Sequence, residues 1–412
     1  MSEWKTRRLE ELSAPGKNSL ATGPFGSAIS SRFFQEGGVP VIRGSNLSLD
    51  VGERLIDDDI VFVDHAKAAE FSRSVARRGD LVFTCWGTIG QVGLIDENAR
   101  FDQYIVSNKQ MKLTPDPARV DSLFLYYALS SPDSVAQVQG LSIGSSVPGF
   151  NLTQLRRIEV SLPALSEQQV IAAVLGALDD KIAVNERIAA TYEQLLQYRF
   201  TELGLSGEPD GDTIIAVTDL VEFNPKLAKP SAEEPVYVDM AALRTDRAGI
   251  PVWTRRAPKS GTRFMNGDTL LARITPCLEN GKTGFVDFMA DGEVGIGSTE
   301  FIVMRSRPGV PAEFSYFLAR DSRFREHAIR NMLGTSGRQR VSAADAANYF
   351  VNRPDADALA AFGRETEAAF SHMKSLQGEN RNLATLRDTL LPQLMSGRLR
   401  IKDAEKIVED HA

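Results

Sequence analysis

The chain has 412 residues, 42% of them hydrophobic and 25% charged, which is ordinary globular material and enough for two or three domains. No apolar run follows the charged N-terminus and no stretch has the length to span a bilayer, so export and membrane insertion are not expected, and the sparse cysteines fit a reducing cytoplasm. The two cysteines, Cys85 and Cys277, and the four histidines, His65, His327, His372 and His411, lack the spacing of a disulfide framework, a zinc site or a catalytic triad. The net charge of −7 argues against nucleic acid on average. It is unevenly spread, however, with Arg320, Arg323, Arg325, Arg330, Arg338 and Arg340 facing only Asp321 and Glu326 in one stretch. Segregated charge of this kind can form a basic face on an acidic protein.

The chain repeats itself, and the repeat sets the architecture. Gly79-Asp80-Leu81-Val82-Phe83 returns as Gly267-Asp268-Thr269-Leu270-Leu271, and Gly90, Gly93 and Asp96 return as Gly281, Gly284 and Asp287. The match continues through Ser107-Asn108-Lys109 against Ser298-Thr299-Glu300, Phe124-Leu125-Tyr126-Tyr127 against Phe314-Ser315-Tyr316-Phe317, and Gly144-Ser145-Ser146 against Gly334-Thr335-Ser336. Val41–Leu47 faces Tyr237–Leu243 at a looser offset. Within each copy, short β-rich runs such as Val39-Pro40-Val41-Ile42 and Phe301-Ile302-Val303-Met304, broken by Gly, Pro, Asn and Asp, predict a mixed module with a strand-rich core.

A long helix follows each module. Ser166-Glu167-Gln168-Gln169 has the form of a capping box, which places the first helix start at Ser166. Its apolar seam runs Ile171, Leu175, Leu178, Ile182, Asn185, Ala189, Tyr192 and Leu196, alternating four and three. The second helix, from near Asp357, carries Leu359, Phe362, Thr366, Ala369, Met373, Leu376, Asn380 and Leu383, skips at Arg387, and resumes at Leu390 before Pro392 ends it and Gly397 marks the stop. Both stripes are heptad patterns, so the helices are expected to pair as an antiparallel coiled coil, with Asn185 and Asn380 as polar seam residues fixing register. The fold class is therefore α+β: two tandem mixed modules, each followed by a long helix. The expected boundaries are 1–162 and 205–353 for the modules, 163–204 and 354–402 for the helices, and 403–412 for a tail.

Motifs required for catalysis are missing. Gly23-Pro24-Phe25-Gly26-Ser27 and Gly87-Thr88-Ile89-Gly90 lack G-x-G-x-x-G spacing, Asn224-Pro225-Lys226 stops short of an amino-methyltransferase tetrapeptide, and no Walker sequence occurs. Asp268, Glu279 and Lys282 do not have the spacing of a metal nuclease and read as turn residues. Two rival readings stay open: a coiled-coil scaffold with protein-binding modules, and a self-sufficient methyltransferase or nuclease.

Leu162-Pro163-Ala164-Leu165-Ser166-Glu167-Gln168, Leu178-Asp179-Asp180-Lys181-Ile182 and Leu386-Arg387-Asp388-Thr389-Leu390-Leu391-Pro392-Gln393-Leu394-Met395-Ser396-Gly397 resemble phrases of type I restriction-modification specificity subunits (HsdS). Gly23–Ser27 and Glu222-Phe223-Asn224-Pro225 resemble the openings of that family's two target-recognition domains, whereas Arg353-Pro354-Asp355-Ala356-Asp357 departs from its helix entry. The resemblance implies a non-catalytic subunit that binds double-stranded DNA at a bipartite target. It would dock two modification (methyltransferase) subunits and a restriction (translocase/nuclease) subunit; S-adenosylmethionine, ATP and magnesium would belong to those partners, and this chain would hold no cofactor or metal. The helices would set the spacer: at about 1.5 Å per residue, 166–202 spans roughly 55 Å, more than one DNA turn of about 34–36 Å. Candidate DNA contacts are Arg43, Lys109 and Lys112 in the first module and Arg273, Lys282, Arg338, Gln339 and Arg340 in the second. Trp4, Trp86 and Trp253 are expected to be packing aromatics.

Overall fold

A computed structural model describes residues 4–143, 148–205, 213–257, 260–335 and 337–409. Gly144-Ser145-Ser146, Ser336 and His411 lie outside these. The chain divides into two units, Met1–Ile182 with Asn382–Ala412 and Ala183–Arg381, the division falling inside both long helices.

In the first unit one antiparallel sheet runs Leu20–Thr22, Gln110–Leu113, Leu81–Thr84, Val92–Leu94 in order, and a second runs Val61–Val63, Val39–Ile42, Gln103–Val106, Val75–Arg77, with its two central strands parallel. The second unit has the same two sheets. Val221–Phe223, Phe301–Ser306, Asp268–Ala272, Thr283–Phe285 form one, and Thr254–Arg255, Val236–Val238, Gly295–Gly297, Thr262–Phe264 form the other, again with parallel central strands. A two-stranded ribbon closes each module: Lys5–Arg8 with Glu159–Leu162, and Ile214–Ala216 with Phe350–Asn352.

The repeated phrases are repeated for packing reasons. A Cβ on Gly93 would sit 2.5 Å from Leu47, and one on Gly284 would sit 2.9 Å from Leu243, so each strand glycine makes room for a leucine from the neighbouring loop. Gly79 and Gly267 both hold φ near the left-handed region, +86° and +87°, where a side chain is strained. The aspartate that follows each glycine accepts a bond from the backbone amide three residues earlier, Arg77 to Asp80 at 3.0 Å and Met265 to Asp268 at 2.8 Å. Each is also buried against a cation of an adjacent strand, Asp80 with Lys112 at 3.3 Å and Asp268 with Arg305 at 2.6 Å.

The first long helix spans Leu165–Glu202 and the second Ala356–Met395. The first begins one residue before the expected cap: the amides of Glu167 and Gln168 donate to the Ala164 carbonyl, so Ser166 lies within the first turn. Gln168, not Gln169, reaches back, its Nε2 donating to the Pro163 carbonyl at 3.1 Å and its Oε1 accepting from the Asp121 amide at 3.0 Å. The second helix runs through Pro392 and stops at Met395, followed by Gly397 at φ +67°. A proline in the last turn removes one donor without ending the helix.

In the first unit Ile171, Leu175 and Leu178 pack in one core with Leu383, Leu390, Leu391 and Leu394, and Ile182 lies at its edge. In the second, Phe200 meets Phe362 at 5.9 Å between ring centroids, Tyr192 meets His372 at 5.6 Å, and Leu196, Phe362, Ala369 and Phe370 share a core with Met373 alongside; Leu376 is also buried. Partners ascend on one helix as they descend on the other, so the helices pair antiparallel.

Candidate nucleic-acid interface

Two asparagines meet within the seam of the second unit. Asn185, 1% exposed, donates from Nδ2 to Asn380 Oδ1 at 2.8 Å and to Glu379 at 2.7 Å, and Asn380 donates to Glu186 at 3.3 Å. The skip at Arg387 hides a different device, in the first unit. Arg387 is buried and its Nη1 donates to Asp179 at 2.9 Å, with Asp388 at 2.8 Å and Asp50 at 3.3 Å on its other side. Asp179 also accepts the Tyr127 hydroxyl and faces Arg54 at 3.5 Å, while Arg54 pairs with Asp96 at 2.9 Å. The helix phrases Leu178–Ile182 and Leu386–Leu391 are thus joined through one shared buried carboxylate.

The second unit seats a carboxylate from the first helix in a similar way. Glu193 accepts from the Ala248 amide and, at 2.8 Å, from the Tyr316 hydroxyl. Burial pushes its carboxyl above the usual range, and those two bonds pull against that rise.

At one corner of each module three segments are sewn together, and the stitching is the same in both. In the first unit Cys85 N donates to Lys109 O, Phe150 N to Cys85 O, Gly87 N to Pro148 O, and Ile143 and Gly149 exchange both backbone bonds, all at 2.8–3.1 Å. In the second unit Arg273 N donates to Glu300 O, Val341 N to Arg273 O, Thr275 N to Gln339 O, and Leu333 and Arg340 exchange both bonds, at 2.9–3.1 Å. The backbone bonds correspond one to one. The side chains do not: Trp86 stands where Ile274 does, Lys109 where Glu300 does, and Gly149 where Arg340 does.

This corner gathers most of the candidates. Lys109 is exposed on it, as is Arg338, and neither side chain has a partner among the described residues. Arg273 and Gln339 are half-buried beside Arg338. Arg340 is committed: its Nε and Nη2 both bond Glu300 at 2.7–2.9 Å, its Nη1 donates to the Arg338 carbonyl at 3.3 Å, and the arginine holds the Glu300 carboxyl below its usual range. Arg43 lies on a different loop, half-buried, with its guanidinium 5.7 Å from the Phe34 ring centre.

Two candidates are engaged within the fold, and only the first of them is buried. Lys112 is 6% exposed in a central strand buried on both faces, and its ammonium is bound to Asp80, the role Arg305 plays for Asp268. Lys282 donates to the Met240 carbonyl at 3.0 Å. The arginine stretch is likewise partly spent, with Arg320 on the Thr245 carbonyl and Arg330 on Glu326 as well as Arg340 on Glu300.

Trp86 departs from its expected packing role. It is 50% exposed, beside Ile143 at 56%, and Leu333 is 74% exposed at the matching place in the second unit. Trp4 instead packs on Phe124, and Trp253 stacks on Phe288 with ring centres 5.5 Å apart. Sequence reasoning could have found Trp86 from its placement between a buried strand end, Leu81–Thr84, and the glycine pair at Gly87 and Gly90.

No described helix is long and apolar enough to cross a membrane. What remains is a chain of two repeated α+β modules joined to a pair of long antiparallel helices, each module presenting one solvent-facing corner with different side chains.

Known proteins of similar sequence share this layout. Residues 1–194 match the model described as type I restriction modification DNA specificity domain. The type I restriction enzyme EcoAI specificity subunit of Escherichia coli is 30% identical over 154 residues, 35% of this chain and 25% of that one. The MjaIX specificity subunit of Methanocaldococcus jannaschii is 22% identical over 97% of this chain and 94% of its own. The crystal structure of a type I restriction-modification system S subunit from M. genitalium, 15% identical, superposes with a TM-score of 0.55 over 95% of this chain and 96% of that one, a likeness of fold. The chain is thus similar, over its first 194 residues and at lower identity along nearly its whole length, to type I restriction-modification specificity subunits. Its match spans about a quarter of the length of the Escherichia coli relatives.

Proposed function

We propose that this chain is the non-catalytic, sequence-specific DNA-binding subunit of a type I restriction-modification complex acting in the cytoplasm, each module reading one half of a bipartite target. The duplication carries this reading: one chain holds two copies of the same module, bond for bond at the exposed corner, with different side chains on each. Two copies with different surfaces suit a target of two different halves. In this reading 1–162 and 205–353 are the recognition domains, the helices at 163–204 and 354–402 bear on the spacer, and 403–412 is a tail.

The modification and restriction subunits that dock on this chain bring S-adenosylmethionine, ATP and magnesium. Exposed cations at the corners, Lys109 and Arg338 with Arg273 beside it, suit phosphates and base edges. The test is to map methylated sites in host DNA with the wild-type chain and with a chain lacking two heptads from each long helix. The expected outcome is a bipartite motif whose spacer shortens while both half-sites persist. Unchanged spacing would refute the helix-set spacer, and a wild-type chain giving no bipartite motif would refute DNA reading.

A further inference from the structure

We propose that the stitched corner is the base-reading element of each module, with the Trp86–Ile143 surface of the first lying on a thymine methyl group and Arg338 of the second reading a guanine. The inference rests on the DNA-reading function and specifies it by residue and base.

The two corners share their backbone bonds and differ in nearly every side chain, whereas repeated positions with packing duties keep theirs. Gly93 and Gly284 both seat a leucine, Asp80 and Asp268 both cap a turn and bind a cation of an adjacent strand, and Tyr126 and Tyr316 are both buried. A fixed scaffold carrying exchanged surface chemistry is what two readers of different half-sites require.

The first corner is apolar and rigid. The Trp86 ring lies flat on Gly149, where an added Cβ would fall 2.5–2.9 Å from ring carbons. One face of the indole is therefore used against the backbone, while half of the side chain stays in solvent next to exposed Ile143. Large apolar groups held rigidly in water are costly unless something covers them. Exposed Lys109, whose carbonyl accepts from the Cys85 amide beside Trp86, supplies the charge that favours a polyanion as the cover. On the major-groove edge of DNA the apolar feature is the thymine methyl.

The second corner is cationic. Arg338 closes a turn, its amide donating to the Thr335 carbonyl at 3.0 Å, with Gly337 at φ +79°. Its side chain is exposed and has no partner among the described residues. Arg340 is a positioning residue: clamped by Glu300, it holds the Arg338 carbonyl through Nη1. An exposed guanidinium with no partner among the described residues is available to pair bidentately with guanine O6 and N7 in the major groove.

The experiment maps methylated motifs in host DNA for the full chain in its complex as wild type, W86A, R338A and E300Q, then measures wild-type binding to the mapped duplex. Expected are loss of preference at one thymine position for W86A, loss at one guanine position in the other half-site for R338A, and no single-position change for E300Q, which weakens the guanine half overall. Each lost preference corresponds to about ten-fold in discrimination. Replacing that thymine by deoxyuridine, or that guanine by 7-deazaguanine, should weaken wild-type binding without altering the protein, so a variant that fails to fold leaves the test intact. A wild-type motif that W86A and R338A leave unchanged, or binding insensitive to both base analogues, would overturn the corner assignment. Absence of any wild-type motif would overturn the DNA-reading function instead.

Discussion

Replacing Asp179 by alanine should destabilise the first unit more than replacing Arg387. Both side chains are nearly dry, 4% and 5% exposed. Removing one partner of a buried ion pair costs about 3–5 kcal/mol, because the other charge stays buried without compensation. Arg387→Ala leaves Asp179 with Arg54 at 3.5 Å and the Tyr127 hydroxyl, so its cost should fall near the low end, with part of it due to lost packing of the arginine stem. Asp179→Ala removes the one carboxylate shared by two guanidinium groups. Arg387 then keeps only Asp50 and Asp388, which are 60% and 59% exposed and well screened, and the Tyr127 hydroxyl loses its acceptor. Its cost should approach the upper end. The double variant should lose less than the two single losses combined, by about 1–3 kcal/mol, as expected for residues in one network. Urea unfolding of the full chain, followed by circular dichroism for wild type, both single variants and the double, measures all four corners of the cycle. Additive losses, or a greater loss for Arg387→Ala, would refute the shared-carboxylate account.

Three other outcomes follow from particular contacts. Replacing both Asn185 and Asn380 by leucine should raise the melting temperature while loosening helix register, seen as broadened cross-link patterns between cysteines placed along the two helices; an unchanged pattern would mean the asparagines do not set register. Gly149→Ala should cost about 1–3 kcal/mol and shift Trp86 fluorescence, because the added methyl group displaces the ring; an unchanged melt and spectrum would contradict the close approach. For Glu193, whose carboxyl is raised by burial, the fold favours the neutral form. The wild type therefore loses stability as pH rises through the group's unfolded value towards its folded one, and Glu193→Gln should gain on the wild type at neutral pH, with the gap closing on acidification. A pH series of thermal melts checks this; a gap that widens at low pH would reverse the sign.

Much of the architecture was legible because it is written in periodicity. Glycines at matched positions, alternating strand runs and two heptad stripes depend on local geometry, so the duplicated module and the paired helices could be read before any coordinates. Helix ends were less legible. Gln168 rather than Gln169 reaches back because the chain before the helix, at Pro163 and Ala164, decides which turn comes first. Pro392 could be carried in a last turn because few helical bonds remained to be broken there.

The amino-acid sequence alone determined that there are two modules, two long helices and family-like phrases at the start of the first helix and the end of the second. Tertiary structure alone decided what each charge does. Lys112 and Arg338 are both cations, but one is turned into a sheet against Asp80 and the other is exposed at a turn; Arg387 interrupts an apolar stripe yet is buried, because Asp179 lies across the helix pair to receive it. The corner around Trp86 was hidden for the same reason. Exposure and ion pairing are properties of residues far apart in the chain, and no local pattern records which of them will meet.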